Sequence, residues 1–246
     1  MKRIFKLFIT SSILALGFYS CKKDKSTAPD MGYNYFPDQV GKYVVYDVDS
    51  FYYYNSPVII DTFKFQVKEK IQSIYYDNQN RPTIRLERYR KYYNPSTPYS
   101  ALPWVLSDVW AENKTVLTAE KVEENTRYIR LVFPTKIDQF WDANIQNVEG
   151  DRKFNYQFVD QSRTIGSIHF DSVLQTVYDA GVILTRKEYR TEKYARNIGM
   201  VYRQIIDIES QPGNNPPPYF FQIPIMQRVT SGYQYTMTVN SYGTEP

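Results

Sequence analysis

His169 is the single histidine of the chain, and it stands in the run Gly166-Ser167-Ile168-His169-Phe170-Asp171-Ser172. The chemistry to look for there is acyl transfer, a hydroxyl activated by an imidazole that a carboxylate orients. Ser167 and Asp171 alternate with His169 along a strand-like run, so the three side chains would project in parallel instead of converging. His169 therefore reads as an ordinary half-exposed strand residue. Glycoside hydrolysis needs only two carboxylates at a set separation, and Glu123-Glu124, Asp138, Asp142 and Glu188 are the candidates. Most acids stand beside Lys or Arg, as in Glu120-Lys121 and Lys187-Glu188, which is the pattern of solvated charge. The chain holds no HExxH, GxSxG, P-loop, GxGxxG or EF-hand pattern. One Cys allows neither an internal disulfide nor a zinc site built on several thiolates. No catalytic residue, metal or cofactor is expected.

Aromatic residues are the stronger lead, with 24 Tyr, 14 Phe and 3 Trp among 246 residues. Tyr52-Tyr53-Tyr54, Tyr75-Tyr76 and Tyr92-Tyr93 put rings on both faces of strands near turns, so at least one ring of each cluster points away from the core. Exposed Tyr and Trp present flat amphipathic surfaces suited to a glycan or a protein partner. Tyr52, Tyr54, Tyr92, Tyr93, Trp104 and Trp110 are the candidate ligand-binding aromatics. Trp104 and Trp110 share one face of their strand if that strand is unbroken.

Strands must position these rings. Phe63, Phe65, Val67, Ile71 and Tyr75 alternate with Lys64, Gln66, Lys68, Lys70 and Gln72, a strand with one buried and one wet face. The turn Asp77 to Pro82 leads into a second strand over Thr83 to Tyr93, forming a hairpin. Tyr233 to Ser241 alternate in the same way and are expected to close a sheet. Further strands are expected near 43–53, 104–111, 115–122, 127–133, 152–159, 167–177, 182–194, 199–208 and 219–227, with a turn at Asp179-Ala180-Gly181 and a short helix over 135–143. The predicted fold is all-β: an antiparallel sandwich or a strongly curved, partly closed barrel, in one domain over 33–246. An outer-membrane barrel is disfavoured, because Arg85, Glu87, Arg88, Arg90 and Lys91 load both faces of one strand.

The N-terminus supplies an address. Lys2, Arg3 and Lys6 precede an uncharged run of 13 residues, Leu7 to Tyr19, too short to span a bilayer core that needs about 20. This is a secretory signal, over residues 1–20. The sequence that follows, Phe18-Tyr19-Ser20-Cys21, resembles the lipobox of bacterial lipoproteins, although Phe18 and Tyr19 are bulkier than the usual residues. The resemblance implies cleavage before Cys21 and its acylation, palmitate included, which would hold the protein on a membrane. Residues 21–32 form a charged, Pro-containing tether. Lys22, Lys23 and Asp24 are similar to the stretch that carries some lipoproteins of Bacteroidota-type bacteria to the cell surface, so the protein is expected on the outer membrane, on either face.

Three phrases resemble a group of uncharacterised secreted lipoproteins: Tyr35-Phe36-Pro37 with Val40-Gly41-Lys42-Tyr43; Phe140-Trp141-Asp142-Ala143-Asn144; and Tyr194-Ala195 with Ile198-Gly199-Met200-Val201-Tyr202. The resemblance implies an anchored, mostly-β domain and no particular activity. Read physically, Gly41 and Gly199 suit turns that start strands, and Phe36, Trp141 and Tyr202 suit a core. Asp171-Ser172-Val173 resembles an acceptor for O-linked glycans in such bacteria. The chain carries 30 Lys+Arg against 26 Asp+Glu, but the signal and tether hold the excess cations, leaving 24 of each in the domain. A neutral domain outside the cytoplasm is not a nucleic-acid binder. The expectation is a lipid-anchored envelope domain that binds a glycan or protein; the alternatives are a glycan hydrolase with paired carboxylates and a carrier with an internal apolar cavity.

Overall fold

Alternating β-branched and aromatic residues between turn clusters give strands with one apolar face, and a long series of such strands buries those faces by curling on itself. In the structure, a computed structural model, the described residues are 29–54, 59–214 and 216–245. The signal and Cys21 lie outside them. The chain divides into two units, Met1–Asp30 and Met31–Pro246; of the first, only Pro29 and Asp30 are described, and they have no regular secondary structure.

The described residues of the second unit form twelve strands: β1 (Lys42–Tyr54), β2 (Ile59–Tyr76), β3 (Pro82–Tyr92), β4 (Val105–Lys114), β5 (Thr118–Glu123), β6 (Thr126–Val132), β7 (Phe140–Asp142), β8 (Lys153–Ile165), β9 (Ile168–Ile183), β10 (Arg186–Ala195), β11 (Gly199–Glu209) and β12 (Ser231–Thr244). They make one antiparallel sheet in the order β6-β5-β4-β3-β2-β1-β12-β11-β10-β9-β8-β7. The last strand therefore joins the two halves by pairing with the first, instead of ending the sheet. The sheet curls into a nearly closed barrel whose seam lies between β6 and β7. Across it, Ile129 N–H donates to Ala143 O at 2.9 Å, and Trp141 Nε1 donates to Ile129 O at 3.1 Å. Tyr156 Oη accepts from Val132 N and donates to Val132 O. The sandwich alternative is excluded by this single, nearly closed sheet.

Residues 31–37 plug one end. Tyr35 and Phe36 are buried; Lys114 Nζ donates to Phe36 O, Asn197 N to Asn34 O and Thr135 N to Met31 O. The first and third of the phrases singled out in the sequence meet at this end, where Phe36, Pro37, Tyr43, Tyr194, Ile198 and Met200 line one small cavity; the second, residues 140–144, lies at the seam. Phe36 and Trp141 are core, and Tyr202 is half-buried, packed against that core with the Lys193 ammonium over its ring. Gly41 and Gly199 open β1 and β11 at φ of 89° and 99°. A Cβ on Gly41 would lie 2.1 Å from the backbone oxygen of Glu245. Gly41→Ala is expected to cost about 1–3 kcal/mol in unfolding free energy from backbone strain, with a lower urea midpoint as the readout.

Four expectations about elements are corrected. Residues 219–227 are not a strand but two 3-10 turns, Phe220–Gln222 and Ile225–Gln227; Pro216 to Pro218 and Pro224 withhold the amides a ladder needs. Residues 135–143 contain no helix, since Asp138 takes φ of 65° and Phe140–Asp142 pair with β8. The turn expected at Asp179 to Gly181 falls at 184–185 instead; Gly181 N–H bonds Asp179 Oδ1 within β9, next to a break in register with β10. Strand β5 starts later than 115, at Thr118, because the Thr115 hydroxyl accepts from the amides of Leu117 and Thr118 and holds a turn there.

Candidate functional site

At the end of the barrel opposite the plug, the inward-facing positions carry the aromatics. β1 turns its even-numbered residues inward, and register places Tyr52 beside Tyr233 of β12 and Phe65 of β2 beside Tyr92 of β3. The Tyr52 ring stacks on Tyr233 at 5.9 Å and meets Phe63 edge-on at 5.9 Å. These rings rim an open groove of about 790 Å³ with Tyr92 and Tyr93, a volume within the roughly 300–1,000 Å³ of ligand sites. Tyr92 is 64% exposed. Below the rings lie Ser50, Arg88, Arg90, Arg203, Trp110 and Tyr235. Ser50 Oγ and Arg90 Nε are buried there without a hydrogen-bond partner in the protein.

Of the six sequence-selected aromatics, Tyr52, Tyr92, Tyr93 and Trp110 come together in this groove. Tyr54, which donates to Asp61, stands farther along β1 near the hairpin tip and is not part of it. Trp104 is on the opposite side of the wall. Arg88 pairs with Asp108 and Tyr89 with Leu106, so Ser107 is an extra residue in β4. This bulge reverses the facing of everything before it. Trp104 packs outside, with Lys91 Nζ 4.4 Å from its ring centroid, while Trp110 lies inside between Arg88 at 3.9 Å and Lys121 at 5.0 Å. The condition that the strand be unbroken fails, and the two Trp do not share a face.

Sequence reasoning treated the acids and bases as solvated; the structure buries a subset of them, Glu69, Arg88, Glu112, Lys121, Arg130 and Glu192 among them. Glu123 on β5 meets Arg130 of β6 at 2.8 Å and Arg203 of β11 at 3.1 Å. Glu192 of β10 meets the same two guanidinium groups at 3.3 and 3.2 Å, closing a ring of four alternating charges to which Tyr194 Oη also donates. A second set joins Glu69 to Arg88 and Lys121, Lys121 to Glu112, and Arg88 to Asp108. The signal was present in β3 as charges at alternating positions, but a wet face and a charged lumen look the same along one strand.

The pKa shifts follow from this burial. Burial pushes the Glu123 carboxyl up, but Arg130, Arg203 and Lys121 more than offset it and hold it well below the usual range. Glu69 is likewise lowered: burial pushes it up, and Lys121 and Arg88 more than offset that. Glu112 is raised, because burial outweighs its one close cation, Lys121. Groups of the first kind give stability that is present above the ordinary carboxylate pKa and lost as pH falls through their folded values. Glu112 has the opposite sign: its contribution is full below the ordinary value and declines as pH rises through the raised one. Glu69→Gln is therefore expected to lower the melting temperature at pH 7, whereas Glu112→Gln should remove a decline in stability on raising the pH above the carboxylate range; melting curves from pH 3 to pH 8 measure both.

The arrangement also tests the alternatives. Glu123 is held by two arginines, Glu188 by Arg152 and Arg190, and the Asp142 carboxylate accepts from the amides of Asn144 and Arg152. Glu112 faces a cavity of about 60 Å³, room for a few waters and not for a sugar ring. That cavity is likewise too small for a bulky apolar cargo. His169 is exposed, near the hydroxyls of Ser162 and Thr164 and not that of Ser167. The Ser172 hydroxyl is engaged by Asp160, Tyr35 and Arg196, so a glycan there would have to break that cluster.

No family model matches the chain, and no curated protein matches it. Among solved structures it is similar to a provisionally named exported protein with YmcC-like fold from Bacteroides fragilis, at 10% identity and a TM-score of 0.45, covering 85% of this chain and 98% of that one. It is also similar to a provisionally named lipoprotein from Parabacteroides distasonis, at 10% identity and a TM-score of 0.35, again covering 85% and 98%. At that distance neither likeness carries an argument about what this chain does.

Proposed function

We propose that this protein is a non-enzymatic binding module of the cell envelope, held to the outer membrane by acyl chains on Cys21 and taking a glycan into the open end of its barrel. The observation that carries the reading is the groove itself: Tyr52, Tyr92, Tyr93 and Tyr233 rim a volume of about 790 Å³, and buried polar atoms of Ser50 and Arg90 beneath them lack protein partners. Sugars combine apolar ring faces with a fringe of hydroxyls, so they suit stacked Tyr rings above donors that still need acceptors.

Two experiments test the two halves of the proposal. Oligosaccharide binding followed by intrinsic fluorescence is expected to weaken by about tenfold in Tyr92→Ala and in Tyr233→Ala, each a loss of roughly 1–1.5 kcal/mol of aromatic contact; unchanged affinity in both would sink the groove as the site. Metabolic labelling with a radioactive fatty acid should mark the protein and not its Cys21→Ala variant. A variant that keeps the label refutes anchoring at that residue.

A further inference from the structure

The mouth of the barrel has a second lobe, of about 280 Å³, which shares Glu123, Arg203, Ile205 and Tyr233 with the aromatic groove. Four arginines line it, Arg130, Arg152, Arg190 and Arg203, against three acids, Glu123, Glu149 and Glu192. Two of those acids belong to the closed ring of charges and cannot leave it without stranding a buried cation. Glu149 differs. It comes from the exposed segment between β7 and β8, its side chain is 40% exposed, and the neighbouring Val148 is fully exposed. Its two oxygens are received separately: Tyr128 Oη donates to one at 2.7 Å, and Arg152 NH1 donates to the other at 3.1 Å. Behind that seat, Arg130 is nine-tenths buried and its Nε has no hydrogen-bond partner.

We infer that the lobe is a carboxylate-binding subsite and that Glu149 is the protein's own stand-in for the acidic group of a ligand. This rests on the glycan reading of the adjoining groove and deepens it: the ligand is an acidic oligosaccharide, its sugar faces on the tyrosines and a uronic carboxylate on Tyr128 and Arg152. The geometry favours exchange, because a hydroxyl and a guanidinium set side by side receive a carboxylate whatever chain carries it. The displaced Glu149 can return to water at little cost, since its segment is exposed and an exposed ion pair contributes little. Charge supports the same direction. With Glu149 withdrawn, Arg152 loses one of its two carboxylate partners and keeps Glu188 alone, so an incoming carboxylate restores a partner that a neutral sugar does not.

The test compares a neutral and an acidic oligosaccharide of equal length, cello-oligosaccharide and oligogalacturonate, by calorimetry on the intact mature protein. The acidic one is expected to bind at least fivefold more tightly, with the preference shrinking as salt is raised. Glu149→Gln, which removes the competitor, should tighten acidic binding by about five- to tenfold and leave neutral binding unchanged. Arg152→Gln should abolish the preference while keeping neutral binding, and a far-ultraviolet dichroism spectrum matching the parent would show that the barrel is intact. Equal affinity for the two sugars, or no gain from Glu149→Gln, overturns the subsite while leaving the groove standing. Binding of neither sugar overturns the groove reading and the subsite together.

Discussion

Arg203→Met is expected to lower the unfolding free energy by about 3–5 kcal/mol, the range for removing one partner of a buried ion pair. Arg203 is the only link from β11 into the ring of charges described above, and it contacts both acids, Glu123 and Glu192. Without it two buried carboxylates share Arg130, whose guanidinium cannot donate to all four oxygens. The Glu123 and Glu192 side chains are 13% and 5% exposed, so little solvent reaches them to replace the lost donor. The readout is the urea midpoint at pH 7, with an unchanged slope showing that the unfolding transition is the same one. The cost should shrink as pH falls, since protonating the stranded acids relieves it. A double variant, Glu123→Gln with Arg203→Met, should cost less than the two single changes summed, because the second removes a charge that the first left unpaired.

Trp141→Ala is expected to cost a similar amount, about 3–5 kcal/mol, the range for large aromatic truncations in a core. The seam of the barrel depends on this side chain. Its indole nitrogen donates to Ile129 O across the gap, and its ring packs on Phe154 at 6.0 Å and Tyr156 at 4.8 Å. Truncation would leave a cavity where β6 meets β7 and loosen the backbone bond from Ile129 to Ala143. Unpaired edges invite pairing with other chains. The variant should therefore show concentration-dependent association as well as a lower melting temperature, measured by light scattering beside the melting curve. Tyr156→Phe, which keeps the ring and removes only the hydroxyl that bonds Val132, should cost roughly 1–3 kcal/mol for two groups left unsatisfied.

Strand identity was legible because it is local. β2 and β3 follow from alternation and the Asp77 turn, in which Asp77 Oδ1 accepts from Gln79 and Arg81 amides; those bonds, with the Arg81 guanidinium, lower the Asp77 carboxyl to about 2. Gly41 and Gly199 were legible for the same reason. The aromatic rim was partly so: runs of adjacent tyrosines must turn rings to both faces, and Tyr52, Tyr92 and Tyr93 do reach the mouth. Trp104 does not share the face of Trp110, because a bulge of one residue, Ser107, leaves no clear mark in a sequence and yet inverts the face of what precedes it. The helix expected at 135–143 failed because pairing with β8 outweighed local spacing.

By itself the sequence determined an all-β chain with a neutral domain, and it raised the expectation of an export signal ending at the single Cys, because composition and short-range order carry that information. Only the tertiary structure decided that the sheet closes, and closure is what turned the charges of β3, β5, β6, β10 and β11 from a solvated face into a buried network. A residue on one face of a flat sheet can always reach water; the same residue inside a barrel has only the opposite wall. That wall is contributed by strands distant in the chain, as Glu123 and Arg203 are, so no pattern along the sequence could have announced the pairing.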